Sequence, residues 1–457
     1  MYQLRWKPVA LLITLGIVCV LLPGCMGFNY SPSRDIVILK LNVDGAQEWT
    51  RTIDGGQDDA GDDVVEVRGG DLVLVGRNGT SRRVTEHPRV IRLSSDGKVI
   101  ADQTNADRFD QPRAVIADPD GGFAVLTQTG QVTRFNRVGD AVWTRSTNMS
   151  EAYSLTGLRD GSYLVSGSVR YLIQSTNNSP VMEEMTVRAP VVTTGRSDGS
   201  SDSTKDAGSL GTGITTTPGP TEAGSIASEA IPISSYTSTS VTKAEVVKFT
   251  SDGEMAWQRT YDEGITTAHS VLEDPGDGSL LIAGYSPDPV TSANRTPELV
   301  ILRTDRDGTA GPLIRLGLVD SRDPVQIRAS PEGIEVIYST VSPRADGRYH
   351  YGVALQTLDP AGRVIGRRSL NASRVINGTS DGGYISVGVP ASEGDSGYES
   401  MLSAGPHTYT TFHALRFDAE GHLLWDRALS IGTIREVKRV IQTSDGGYVI
   451  LAMSEQG

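Results

Sequence analysis

Two stretches of the sequence carry the spacing of a serine nucleophile. Gly378-Thr379-Ser380-Asp381-Gly382 and Gly195-Arg196-Ser197-Asp198-Gly199 both read Gly-x-Ser-x-Gly, the pattern that lifts a serine hydroxyl onto a sharp strand-to-helix turn in acyl-transfer enzymes. Neither follows a buried strand and opens a helix. The first matches Thr443-Ser444-Asp445-Gly446 near the chain end, and the second lies in a stretch dense in Ser, Thr and Gly. Turn building is therefore the chemistry these residues supply most directly.

Gly394-Asp395-Ser396-Gly397 resembles the nucleophile segment of chymotrypsin-like serine proteases, but Tyr398 stands where that family has Gly, and no matching His motif lies upstream. Oxygen ligands for calcium are offered by the acidic loop Asp54, Asp58, Asp59, Asp62 and Asp63. Its spacing does not fit an EF-hand loop, and solvated turn acids are the competing reading. The expectation is no cofactor, calcium at this loop being the exception the sequence allows. The six His residues show no zinc spacing, which argues against a transition-metal site.

The elements that must position any such site are repeats. One kind of hairpin has a strand, an Asp-Gly or similar turn, and often a Trp four residues past the Gly, as in residues 36–41 with Asp44-Gly45 and Trp49. Gly97, Gly139, Gly253, Gly308, Gly362 and Gly421 mark six further copies, with Trp143, Trp257 and Trp425 in three of them and Ala101, Pro312 and Gly366 in the rest. A second kind turns at Gly70, Gly122, Gly161, Gly278, Gly333, Gly383 and Gly447 and runs into an apolar strand. Two hairpins recurring about every fifty residues give the period and strand count of propeller blades. The expected fold is all-β, a seven-bladed β-propeller of four-stranded blades.

The chain starts on a Trp hairpin and finishes on a Gly-Gly hairpin, so N- and C-terminal strands should share one blade and close the ring. The pattern resembles prokaryotic secreted and lipoprotein propeller repeats with Asp-Gly-Gly-Tyr turns, and more loosely the quinoprotein-like and WD40-like propellers. The resemblance covers residues 35–173 and 243–457. It implies architecture and no particular reaction, because propellers host enzymes, adhesins and scaffolds alike.

In such a ring the first strand of each blade lines the central channel. Counting back from each Gly-Gly turn, with one inserted residue allowed at His269, places Asp62, Arg113, Tyr153, His269, Val325, Arg374 and Lys438 at its mouth. Convergent polar groups at a concave mouth make a ligand site for a small anion, a sugar acid or a partner carboxylate. Contact with channel water is the alternative.

Residues 1–24 read as a lipoprotein signal peptide, with Arg5 and Lys7, an apolar run over residues 9–22, and Leu22-Pro23-Gly24-Cys25. Cys25 would carry the lipid and residues 25–34 would be a tether; an uncleaved anchor is the other reading of the apolar run. Either reading exports the body to the cell envelope. Cys19 leaves with the leader, so no disulfide forms in the mature chain. Losing Arg5 and Lys7 takes the net charge from -13 to -15, which argues against a nucleic-acid partner. Seven of the eleven asparagines, Asn29, Asn78, Asn148, Asn177, Asn294, Asn371 and Asn377, stand in glycosylation sequons. Residues 174–242 interrupt the repeats with a Ser/Thr/Gly-rich composition that reads as a flexible insert, with residues 187–192 and 231–236 able to pair at its base.

These features lead to an expectation: a lipid-anchored, exported binding or scaffold module for a protein or carbohydrate ligand. A propeller enzyme acting on glycans or with a quinone at the channel mouth is the second reading.

Overall fold

Asp/Gly turns between short apolar runs leave the chain little choice but antiparallel hairpins, since Gly supplies the left-handed backbone such turns need and the runs supply the buried faces. In the turn Ser444-Asp445-Gly446-Gly447, Gly446 has φ of +82°. Gly447 is needed for a different reason, because a Cβ there would lie 2.5 Å from the carbonyl oxygen of Leu41 on the neighbouring strand. The computed structural model describes residues 34–455 apart from 57, 80–85, 105–109, 177–178, 185–236, 263, 287–296, 320–324, 344–348, 374 and 389–409.

The chain opens with β1 (Arg34–Leu41) and β2 (Gln47–Ile53). Blade 1 follows as β3 (Asp58–Glu66), β4 (Leu72–Gly79), β5 (Glu86–Leu93) and β6 (Val99–Thr104). Blade 2 is β7 (Pro112–Ala117), β8 (Phe123–Thr127), β9 (Gln131–Phe135) and β10 (Ala141–Ser146). Blade 3 is β11 (Glu151–Gly157), β12 (Tyr163–Thr176) with an added strand β13 (Ser179–Glu184), β14 (Thr237–Phe249) and β15 (Met255–Tyr261). Blade 4 is β16 (Thr267–Glu273), β17 (Leu280–Ser286), β18 (Glu298–Thr304) and β19 (Ala310–Leu318). Blade 5 is β20 (Gln326–Ser330), β21 (Gly333–Pro343), β22 (Tyr349–Leu358) and β23 (Val364–Leu370). Blade 6 is β24 (Ile376–Gly378), β25 (Tyr384–Gly388), β26 (Phe412–Phe417) and β27 (Leu423–Leu429). Finally β28 (Ile434–Gln442) and β29 (Tyr448–Glu455) join β1 and β2 in the order β2-β1-β29-β28. The protein is a seven-bladed β-propeller.

The shared blade closes as the sequence predicts. β1 pairs antiparallel with β29 from Arg34↔Glu455 to Leu41↔Tyr448. Lys40, itself buried, donates to Asp445 at 2.7 Å and to Thr443, and Ser444 on the same turn donates to Glu66 of blade 1 at 2.8 Å. The last hairpin therefore grips both the first strand of the chain and the next blade.

The core is divided into seven buried clusters, one between each pair of neighbouring blades. Val37, Leu39, Tyr448 and Ile450 of blade 7 pack on Ile385, Phe412 and Ala414 of blade 6, while Ile36, Ile38 and Leu451 pack on Val64, Leu74 and Ile91 of blade 1. Strands pressed between two blades are apolar on both faces, as in β17 and β29. Outer strands are largely exposed, and β23 alternates half-buried and exposed residues. At the root of the Ser/Thr-rich insert, β12 and β14 keep pairing out to Ser175↔Thr237. Residues 187–192 and 231–236, expected to pair there, lie outside the described residues.

Candidate channel-mouth binding site

Five residues singled out by counting share one backbone device. The β3/β4 ladder jumps from Gly61↔Gly76 to Asp63↔Val75, leaving Asp62 as the extra residue of a β-bulge. Arg113 is skipped between Pro112 and Ala114, Tyr153 between Ala152 and Ser154, His269 between Ala268 and Ser270, and Lys438 between Val437 and Arg439. The bulge is crowded on the partner side. A Cβ at Gly76, Gly167 or Gly284, each facing it from the second strand, would lie 2.1, 2.2 or 1.7 Å from a carbonyl oxygen of the first strand. At Arg113 and Lys438 the facing residues are Thr127 and Ala452, so glycine relieves the crowding in three of the five bulges.

These first strands contact one another around the ring axis, β3 with β7, β7 with β11, β11 with β16, and β28 with β3. Bulging re-aims one side chain per strand, and the side chains meet. The Tyr153 and His269 rings stack at 4.3 Å between centroids, Tyr285 sits edge-on to His269 at 5.1 Å, and the Arg113 guanidinium lies 5.6 Å over Tyr153. On the other side Asp62 feels Arg77, Lys438 and Arg113 electrostatically.

Burial dominates the protonation of these groups. It pushes the Asp62 carboxyl up to about 6, against the opposing pull of Arg77, Lys438 and Arg113. It lowers His269 to about 4, with the Arg113 charge acting the same way, so the imidazole is neutral at neutral pH. Tyr153 is pushed up to about 12 by burial and by the hydrogen bond it donates to Glu151 at 2.9 Å. Two buried atoms of the cluster, Asp62 Oδ2 and His269 Nδ1, have no hydrogen-bond partner among the described residues.

Other sequence candidates lie elsewhere. Val325 is buried between blades 4 and 5, and Arg374 lies outside the described residues. The acids of the calcium loop separate. Asp58 pairs with Arg34 at 2.6 Å, and Asp59 pairs with Arg89 at 2.9 Å. Asp63 accepts the Val115 N–H of blade 2 at 3.0 Å and faces Arg439 of blade 7 at 3.2 Å. Asp54 and Asp59 come together with Asp35, close enough for one cation, but Asp58, Asp62 and Asp63 are not in that group. Ser380 sits in a strand-to-strand turn, its N–H donating to Gln442 at 2.7 Å. Residues 195–199 and 394–397, with Cys25, Asn29, Asn177 and Asn294, fall outside the described residues. Of the other sequons, Asn148 and Asn371 are exposed, while Asn78 and Asn377 are half-buried in strands.

Sequence reasoning missed the second layer. Asp63 ties β3 to both neighbouring blades, Glu436 holds Lys438 at 2.8 Å, and Arg77 follows the bulge-facing Gly76. In blades 1, 3 and 4 the glycine six residues past the turn glycine, Gly76, Gly167 or Gly284, could have flagged where the inner strand bulges.

No protein-family model matches the sequence, and no curated protein matches it. Solved structures with a similar fold include the WD40 β-propeller domain of Doa1, at 12% identity and a TM-score of 0.45, covering 92% of this chain and 97% of that one. Sqt1 from Chaetomium thermophilum is similar at 11% identity and a TM-score of 0.40, covering 88% and 97% of the two chains. BamB from Moraxella catarrhalis is similar at 11% identity and a TM-score of 0.35, covering 90% of each. The likeness is one of propeller fold.

Proposed function

We propose that the protein is an exported, lipid-anchored binding or scaffold module of the prokaryotic Asp-Gly-Gly-Tyr propeller type, working at the cell envelope with its ligand site at the channel mouth. The observation that carries this reading is the delivery of Asp62, Arg113, Tyr153, His269 and Lys438 to one place by bulges on five different blades. A rigid ring that breaks its own ladder to present polar side chains at a concave mouth is built to hold something there. The ligand classes that fit are a protein segment or a carbohydrate. The leader and Leu22-Pro23-Gly24-Cys25 support export and anchoring.

Binding suits the geometry better than hydrolysis, because among the described residues His269 Nδ1 has no carboxylate to orient the ring as a triad requires. The test is capture from envelope extracts by the parent and by the Arg113→Ala/Lys438→Ala variant. At least a tenfold loss of the captured ligand is expected, and equal capture would end the reading. Intact mass of the membrane-extracted protein reads lipidation at Cys25 and sequon occupancy together.

A further inference from the structure

The mouth contains charges left in an unusual state. Asp63 is consumed by contacts to blades 2 and 7 through Val115 and Arg439, yet Asp62 beside it keeps Oδ2 buried and without a partner among the described residues. Arg77 on β4, Arg113 on β7 and Lys438 on β28 all lie near enough to act on Asp62, and Asp63 acts on it from its own strand. None forms an ion pair with Asp62 among the described residues. Lys438 is held by Glu436 instead, and Arg113 lies on the Tyr153 ring with no carboxylate partner among the described residues. The site therefore presents a guanidinium with no carboxylate partner among the described residues, within electrostatic reach of a buried carboxyl oxygen that has no hydrogen-bond partner there.

We propose that the channel mouth binds a small carboxylate ligand, held by Arg113 and Lys438, with Asp62 in its protonated form donating its proton as a hydrogen bond to the ligand. This rests on the reading of the mouth as the ligand site. The physical ground is that two carboxylates at close range cannot both stay ionised and share one proton instead. Ionised Asp62 repels the ligand and competes for the same cations; protonated Asp62 leaves Arg113 and Lys438 for the ligand and adds a donor. At neutral pH one proton is taken from solvent on binding and returned on release. Asp62 changes charge around pH 6, where His269 is already neutral. The same chemistry would serve a sugar acid or the C-terminal carboxylate of a peptide.

The experiment is calorimetry on the full chain with D-glucuronate, N-acetylglycine and, as an uncharged control, D-glucose, at pH 5 and pH 8. At least one carboxylate should bind at least tenfold more tightly at pH 5, and glucose should not follow it. Glucuronate alone would indicate a sugar acid, N-acetylglycine alone a peptide terminus. Asp62→Asn should bind with equal affinity at both pH values. In the parent at pH 7, repeating the titration in buffers of different ionisation enthalpy should report uptake of close to one proton per ligand, a readout that needs no variant. A pH dependence that survives in Asp62→Asn, or no proton uptake, overturns the proposal while leaving the mouth as a binding site. Absence of carboxylate binding at both pH values also overturns it. Loss of extract capture in Arg113→Ala/Lys438→Ala would show that the broader reading stands even then.

Discussion

The outer part of each blade and the inner rim treat their polar groups in opposite ways. Outside, charges are spent. In six blades the third strand carries a Lys or Arg tied to an Asp in the first turn of the same blade: Lys40 with Asp445, Arg92 with Asp71, Arg134 with Asp118, Lys248 with Asp160, Arg303 with Asp277 and Arg416 with Asp381. Four Trp rings roof a glycine in the next blade's turn, Trp49 over Gly97, Trp143 over Gly253, Trp257 over Gly308 and Trp425 over Gly45. Trp49 and Trp143 also donate to Ser95 and Ser251 in those turns. Inside, Asp62 Oδ2 and His269 Nδ1 are left without partners among the described residues. Unpartnered buried atoms also occur on the outer strands, at Thr50 Oγ1 and Trp257 Nε1, so the contrast lies in the charges: the third-strand cations are paired outside, whereas Arg113 at the rim has no carboxylate partner among the described residues.

The closing blade should be where this outer fastening matters most. Removing residues 444–457 deletes β29, whose Tyr448, Val449, Ile450, Leu451, Ala452 and Met453 are all buried. At about 1.5–3 kcal/mol for each large apolar side chain, that loss is on the order of the whole stability of a domain. The truncated chain should lose its cooperative thermal transition entirely. A transition unchanged in midpoint and steepness would mean that the blades stand independently and that the clasp is ornamental.

The lids allow a finer test, because three blades lack them. Trp143→Ala should cost about 3–5 kcal/mol, since it empties a buried site against Tyr163 and Phe249 and uncovers Gly253. The converse change is at Ala101, which occupies the register position of Trp49 opposite the third-strand cation. It leaves Gly139 with nothing nearer than Gln103 at 3.8 Å. Ala101→Trp should therefore gain about 1 kcal/mol by filling open space, read as a rise in the urea midpoint. If both substitutions destabilise equally, the rings are not acting as lids.

The outer region was legible in sequence because turns and lids are local. Gly446 and Gly447 announce a hairpin whatever surrounds them, and Trp49 follows Gly45 at a spacing the next copies repeat. The inner rim was legible only as positions. Counting found Asp62, Arg113, Tyr153, His269 and Lys438 because each sits at the same place in its repeat, and it failed at Val325, where β20 and β21 pair from Gln326↔Ile337 without a shift. There Tyr338 takes the place held by Gly76 in blade 1 and by Thr127 in blade 2. What no spacing reveals is which charges remain free. Lys438 is claimed by Glu436 two residues away and Arg113 is not, a difference set by which way each bulge turns its neighbours.

The last effect, seen only as a dependence on pH, concerns Asp62 and His269 themselves. Asp62 is raised from 3.8 to about 6 in the folded chain, so between those values the folded state binds more protons and stability falls as pH rises. His269 is lowered from 6.5 to about 4, so over nearly the same window the unfolded state binds more protons and stability rises with pH. The two contributions oppose each other and should leave the parent nearly level from this pair between about pH 4 and 6. Asp62→Asn removes one side of the balance. Its urea midpoint should climb with pH relative to the parent by the equivalent of about 1–3 kcal/mol across the window, at 1.36 kcal/mol per unit before relaxation reduces it. His269→Gln should do the reverse, its stability falling toward pH 6. Parallel pH profiles for both variants and the parent would mean that the mouth is open to water, with neither group desolvated, and the contrast between paired outer charges and desolvated inner ones would lose its physical basis.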